Sequence, residues 1–150
     1  MRIGFYIGSI LVANWLVIQF GVVHLGILHF PAGAICIGLT FSARDFVQRK
    51  HGKKITLIWM GVATLITLVF NWKIALASGI AFAASEIIDF LVYTYTKKTF
   101  RQRVIISNLI AIPLDSILFV SIAFGWFFPA IWGQTLIKFL SSLPPLVFKK

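Results

Sequence analysis

The sequence predicts an all-α polytopic membrane protein: a single integral membrane domain over residues 1–150, built as a bundle of six transmembrane helices. Hydrophobic residues make up 59% of the chain and charged residues 12%, with a mean hydropathy of +0.95. The apolar residues form runs near the roughly 17 to 25 positions that cross a bilayer core, and almost all basic residues lie between those runs. A soluble domain of this length could not bury so much apolar side chain.

Six apolar runs define the expected spans. The first run has no small-x-small cleavage site at the expected distance, so we expect it to be retained as a helix. The connection that follows it, Val22–Phe30, contains no Lys, Arg, Asp or Glu, which indicates a segment that lies along the membrane interface or re-enters the protein. The predicted spans are Ile3–Gly21, Pro31–Gln48, Ile55–Phe70, Ile74–Tyr95, Val104–Phe124 and Trp126–Leu140.

The distribution of basic residues predicts the orientation, because Lys and Arg near span ends stay on the cytoplasmic side. The second and fourth connections and the two termini hold twelve of them, whereas the other three connections hold only Lys73, and Arg44 lies within a span. We therefore expect both termini to be cytoplasmic, which requires an even number of spans. The twelve are Arg2, Arg49, Lys50, Lys53, Lys54, Lys97, Lys98, Arg101, Arg103, Lys138, Lys149 and Lys150.

Several classes of protein are disfavoured. A formal charge of +10 would suggest nucleic-acid binding in a soluble protein, but membrane orientation accounts for these basic loops, so no nucleic-acid partner is expected. Cys36 is the sole cysteine, and His24, His29 and His51 lack metal-ligand spacing. The sequence contains no nucleophile elbow or phosphate-binding glycine loop. We expect no catalytic residue, no metal and no cofactor, and hence a protein that is not an enzyme.

All four acidic residues lie inside or at the ends of apolar runs: Asp45, Glu86, Asp89 and Asp115. A carboxylate near the centre of a membrane helix costs about 2.5 to 3.5 kcal/mol on insertion scales. Such a group normally faces a partner, a water-filled cavity or a ligand. These acids therefore mark the candidate binding site.

Glu86 and Asp89 are three residues apart and share one face of the fourth span. Two like charges this close do not both ionise cheaply in a low-dielectric environment, so a cation, a proton or a donor group must compensate them. They either line a binding site or form an ion pair with Arg44 or Arg103 that fixes helix packing.

Asn108 and Asp115 lie two turns apart on one face of the fifth span. Pro113 interrupts the helix just before Asp115 and frees a backbone carbonyl that can bind a ligand or water. We expect Asn108 and Asp115 to contribute to the site.

Three further polar residues accompany the acids. Arg44 and Asp45 are adjacent, so their side chains point about 100° apart and cannot simply satisfy each other. Arg44 either pairs with Glu86 or Asp89 or snorkels to the interface. Asn14, near the middle of the first span, either bonds across helices or contacts a ligand.

The residues from about Phe41 to Gly125 resemble the queuosine precursor transporter family, whose members are six-helix inner-membrane proteins also described as vitamin uptake transporters. Asp45 and Gly52 fit the family pattern at the end of the second helix, where Arg49 replaces an acid. The stretches Ala84–Asp89 and Asp115–Phe119 are similar to family motifs on the fourth and fifth helices. Further matches lie at Arg103, Ser107, Asn108 and Ala123–Gly125.

This resemblance implies a transporter in the cytoplasmic (inner) membrane that imports 7-cyano- or 7-aminomethyl-7-deazaguanine, or a similar nucleobase-like molecule. Carboxylates suit such a ligand because one carboxylate accepts two parallel N–H bonds from a guanine-like edge. We expect substrate binding by Asp115, Glu86, Asp89, Asn108, Asp45 and Asn14, with Arg44 in a supporting ion pair.

Two other functions fit the same sequence. The chain could be the substrate-binding subunit of an ATP-driven vitamin importer, with a separate ATPase module as partner, since it has no nucleotide-binding motif of its own. It could also be a non-transporting structural or pore-forming membrane protein whose acids only pair with Arg44 and stabilise packing.

Overall fold

The computed structural model describes residues 2–96 and 99–142 of the chain. Within these ranges, a few helical residues are described by their backbone alone, namely Arg2, Ser42, Asp45, Phe46, Arg49, Phe90, Tyr93, Thr94, Phe100, Arg101 and Val104. The described residues form six α-helices and one β-hairpin. The helices are α1 (Arg2–Phe20), α2 (Ala34–His51), α3 (Lys53–Phe70), α4 (Trp72–Tyr95), α5 (Phe100–Phe124) and α6 (Phe128–Ser142).

Each predicted span overlaps one helix, and local signals account for most of the boundaries. Gly52 alone separates α2 from α3, and its φ of 84° is a conformation that other residues rarely adopt. Asn71 caps α4 by accepting a hydrogen bond from the Ile74 amide at 3.0 Å. A capping box between Thr99 and Gln102 starts α5 four residues earlier than expected.

The connection after α1 adds a short β-hairpin to a structure that is otherwise α-helical, as predicted. It forms a β-hairpin of β1 (Val22–Leu25) and β2 (Leu28–Pro31), paired antiparallel with Val22 opposite Pro31. Gly26 has a φ of 60° at the first position of the two-residue turn, where turns that suit hairpins favour glycine. Pairing of the two strands satisfies the backbone groups that face each other across the hairpin, which an irregular segment at an apolar surface would leave unpaired.

The six helices close into a ring. α1 packs against α2, α2 against α6, α6 against α5, α5 against α4, α4 against α3, and α3 against α1. Strand β2 packs against α6 at one end of this ring, which we call the hairpin end. The connections through Asn71 and Gly125 lie at that end too, whereas Gly52 lies at the opposite end, which we call the basic end after Lys50, Lys53, Lys54 and Arg103.

Polar and apolar side chains are distributed as a lipid environment requires. Large hydrophobic side chains lie exposed around the bundle, whereas Arg44, Gln134 and Lys138 are each at most 1% exposed. Within the described residues, three helices are long and apolar enough to cross a membrane, over Ile3–Phe20, Lys53–Phe70 and Ile105–Phe124. The other three helices carry buried charged residues. Arg44 lies on α2, Glu86 and Asp89 lie on α4, and Lys138 lies on α6.

Two buried apolar clusters occupy the ends of the bundle. One, near the hairpin end, joins Val17, Ile74, Val120 and Ala130 with neighbouring side chains. The other, near the basic end, includes Tyr6, Ile10, Ala43, Val47 and Ala63. The buried charged groups therefore lie inside an apolar bundle.

Candidate functional site

A cavity lies at the centre of the helical ring. In this conformation it is narrow, with a volume of about 30 Å³, and all six helices together with Pro31 of the hairpin line it. Its aromatic walls are Phe41, Phe82 and Phe119. Its polar lining consists of Asn14, Thr40, Thr64, Ser78, Asp115, Gln134 and Lys138.

Asp115 and Lys138 form an ion pair in the wall of this cavity. The Lys138 ammonium on α6 contacts Asp115 Oδ2 on α5, and the two residues are 1% and 5% exposed. Ser85 Oγ on α4 lies 3.5 Å from Asp115 Oδ1. The Lys138 nitrogen also lies 5.6 Å from the centre of the Phe119 ring, within the range of a cation–π contact. The carboxylate is thus compensated by a cation from within the chain.

Lys138 was expected among the cytoplasmic basic residues near the C-terminus, and the structure corrects that assignment. Without Lys138, eleven basic residues are predicted on the cytoplasmic side and one, Lys73, on the other, so the charge bias still predicts the same orientation. A sequence signal for its role existed. Gln134 and Lys138 lie four residues apart within the predicted sixth span, which places two polar groups on one face of an apolar helix.

Arg44 lies in a second buried ionic group nearer the basic end. Its Nη1 is 3.1 Å from Glu86 Oε1, and its Nη2 is 3.6 Å from Asp89 Oδ1. Ser107 Oγ donates a hydrogen bond of 2.5 Å to Asp89 Oδ1. These contacts link α2, α4 and α5, which is the packing arrangement that the sequence left open as one of two alternatives.

Aromatic rings connect the Arg44 group to the cavity. The Arg44 guanidinium carbon lies 5.1 Å from the centre of the Phe41 ring and 5.8 Å from that of Phe82, and both rings line the cavity. Glu86 and Asp89 are absent from the described lining of the cavity. In this conformation the two acids face Arg44, with aromatic rings between the guanidinium and the central space.

Asn14 bonds across helices, which is one of the two alternatives that the sequence left open. Its Nδ2 donates a hydrogen bond of 3.1 Å to Thr67 Oγ1, which joins α1 to α3, and the residue also lines the cavity. Asn108 is 4% exposed but is not part of the described cavity lining, and its Oδ1 has no hydrogen-bond partner among the described residues. Asp45 lies on α2, and its side chain is outside the described part of the structure.

Close backbone packing covers the cavity at the hairpin end. A Cβ atom added at Gly33 would lie 2.2 Å from the carbonyl oxygen of Ala13, and one at Gly133 would lie 1.9 Å from that of His29. His24 and His29 also contact each other through their ring nitrogens across the hairpin. Among the described residues, no group of three His, Cys, Asp or Glu side chains could hold a metal ion.

This arrangement defines a class of protein: a helical membrane protein with an internal polar cavity inside a closed ring of six helices. The sequence pattern of the family described as "Putative vitamin uptake transporter" matches residues 67–148, more than half of the chain. The protein belongs to this family, which confirms the resemblance found in the sequence. No curated protein and no solved structure matched the chain.

Proposed function

We propose that this protein imports a queuosine precursor, 7-cyano- or 7-aminomethyl-7-deazaguanine, or a similar nucleobase-like molecule, across the cytoplasmic membrane. The chain crosses the membrane six times with both termini in the cytoplasm, so the basic end of the bundle faces inward. Membership of a vitamin uptake transporter family supports transport. The strong bias of basic residues toward one end supports the orientation.

One observation carries this proposal: a carboxylate, an ammonium group and three aromatic rings meet around one internal space. A buried ion pair that served only to join α5 and α6 would need no space beside it. Here Asp115 and Lys138 line an internal space of about 30 Å³, so the surrounding helices must move apart to admit a molecule of nucleobase size. The chemistry of the lining therefore supports the binding of a small polar ligand in a more open conformation.

The chemistry of the walls favours a flat heteroaromatic ligand. Phe41, Phe82 and Phe119 offer ring faces for stacking. Asp115 and Asn14 offer hydrogen-bonding groups at the level of those rings, and a carboxylate accepts N–H donors from a guanine-like edge. In this proposal Asp115 and Asn14 contact the ligand directly.

The Arg44 group supports a role in controlling access. It holds α2, α4 and α5 together on the cytoplasmic side of the cavity, while the hairpin covers the other side. Release of the ligand inward requires Arg44 to separate from Glu86 and Asp89. We propose that those two acids and Asn108 reach the ligand during that step, and that Asp45 assists from the end of α2.

Restoration of queuosine in tRNA tests the proposal in cells that lack their own precursor importer. Wild-type protein should restore the modified base, and Asp115→Asn, which removes the cavity carboxylate, should not. Glu86→Gln should reduce the rate of restoration by weakening the Arg44 group. Failure of well-expressed wild-type protein to restore queuosine would exclude this ligand class.

Uptake by liposomes containing only the purified chain separates the proposal from its rivals. Accumulation without any ATPase module would exclude the subunit of an ATP-driven importer. Saturable uptake that an unlabelled ligand competes away, and that Asp115→Asn abolishes, would exclude a structural or pore-forming protein. Uptake that appears only after an ATPase is added would favour the subunit instead.

A further inference from the structure

Two side chains of α6 line the cavity beside the residues proposed to contact the ligand. Gln134 and Lys138 are each 1% exposed, and both line the central space. They lie four residues apart, so they project from the same face of the helix, one turn from each other. They add an amide and an ammonium group to a site that the sequence described only through its acids.

Gln134 presents an acceptor that the described residues leave unused. Its Oε1 is buried and has no hydrogen-bond partner among them. Buried polar atoms in folded proteins are nearly always paired, because removing an unpaired acceptor from water costs free energy. An unpaired carbonyl oxygen in the lining of a cavity is ready to accept an N–H group from a ligand.

Lys138 presents donors. Its ammonium group has three N–H bonds, and one meets Asp115 Oδ2. Its other described neighbour is the Phe119 ring, which interacts through its face and does not replace an oxygen acceptor. The cavity wall therefore places spare N–H donors directly beside the Asp115 carboxylate.

We propose that Lys138 and Gln134 determine specificity, and that the site reads a lactam edge, an N–H group next to a C=O group on one ring. Lys138 donates to the ring carbonyl oxygen, while Asp115 and Gln134 Oε1 accept from the neighbouring ring and amino N–H groups. This inference rests on the proposed function and adds to it the edge of the base that is recognised.

The arrangement rejects bases in which an amino group replaces the ring carbonyl. Such a ligand would direct N–H donors at the Lys138 ammonium, leaving that donor unpaired in a buried site. A hydrogen bond to a charged group is worth enough to change affinity about tenfold to a hundredfold. The site should therefore prefer guanine-type over diaminopurine-type rings by about that factor.

Competition binding with the full-length purified protein tests this. The labelled probe is 7-cyano-7-deazaguanine, and the competitors are the unlabelled probe and its analogue with an amino group in place of the ring carbonyl. Wild-type protein should bind the carbonyl compound about tenfold to a hundredfold more tightly. Equal affinities for the two competitors would overturn the proposal without any variant.

Two pairs of variants test whether Lys138 and Gln134 recognise the ligand as proposed. Lys138→Met should bring the two affinities to within about threefold, while Lys138→Arg, which keeps charged donors, should retain most of the preference. Gln134→Leu leaves the ion pair intact and should weaken probe binding about tenfold. Thr135→Val is its control, because that hydroxyl donates to the Ile131 carbonyl and is absent from the described cavity lining.

The outcomes separate the two proposals. If wild-type protein binds neither compound, the proposed function and this inference are both wrong. Suppose instead that wild-type protein binds the probe, but Lys138→Met keeps the full preference for the carbonyl compound or Gln134→Leu binds the probe as tightly as Thr135→Val does. The proposed importer function would then be retained, and the roles given to Lys138 and Gln134 would be wrong. Should Lys138→Met fail to fold, the comparison of competitors on wild-type protein and the Gln134→Leu pair still decide the question.

Discussion

The buried ion pair between Asp115 and Lys138 gives a quantitative prediction for stability. Both side chains are almost fully removed from water, at 5% and 1% exposure, and each is the other's described charged partner. Removing one member of such a pair leaves an uncompensated buried charge, which typically costs about 3 to 5 kcal/mol. Replacing both members with well-packed hydrophobic side chains of similar volume often leaves stability unchanged or raises it.

We therefore expect strong non-additivity in a double-mutant cycle. Asp115→Asn and Lys138→Met should each lower the free energy of unfolding by about 3 to 5 kcal/mol. The double variant should lie within about 1 kcal/mol of wild-type protein, because neither charge remains. For a chain of this length each single change corresponds to a fall in Tm of roughly 6 to 20 °C.

Thermal unfolding of the purified protein in detergent provides the assay. Lys50→Met is the matched control, since Lys50 is exposed at the end of α2 and its replacement should change stability by no more than about 0.5 kcal/mol. An unchanged Tm in Lys138→Met would mean that the ammonium reaches water and that the pair is not buried. Additive losses in the double variant would likewise refute the reasoning.

The same double variant separates stability from function. If the pair serves only to join α5 and α6, a double variant that regains stability should also regain uptake. If the pair contacts the ligand, the stable double variant should remain unable to transport. Measuring Tm and liposome uptake on the same preparation therefore distinguishes a packing role from a binding role.

Three further predictions concern packing and use the same unfolding assay. Gly133→Ala should destabilise the protein by about 1 to 3 kcal/mol, because the added Cβ would lie 1.9 Å from a hairpin carbonyl oxygen. Gly8→Ala is the control and should not destabilise the protein, because no atom lies within 4 Å of its added Cβ. Equal effects of the two substitutions would contradict the close packing at Gly133. Arg44→Gln should cost about 3 to 5 kcal/mol by leaving two buried acids without their cation, and an unchanged Tm would argue against that group. Thr67→Val removes the hydroxyl that accepts from Asn14 Nδ2 and should cost about 1 kcal/mol; no loss would show that the bond contributes nothing.

Local patterns in the sequence were sufficient to place the helices. Apolar run length located the six helices, and Gly52, Asn71 and the Thr99–Gln102 box explain several boundaries through rules that involve only neighbouring residues. The hairpin was missed because the apolar connection was interpreted by composition, although Gly26 in its two-residue turn is a recognised local signal.

The chain by itself determined that this is a helical membrane protein with charged groups retained among apolar residues, because span length, hydropathy and charge distribution act locally. Only the tertiary structure decided which groups meet. The ring of helices directs Lys138 inward to Asp115 rather than outward to the interface, and it turns Glu86 and Asp89 toward Arg44. The physical reason is that the energy of a buried charge depends on its neighbours across helices, and one helix alone does not specify them.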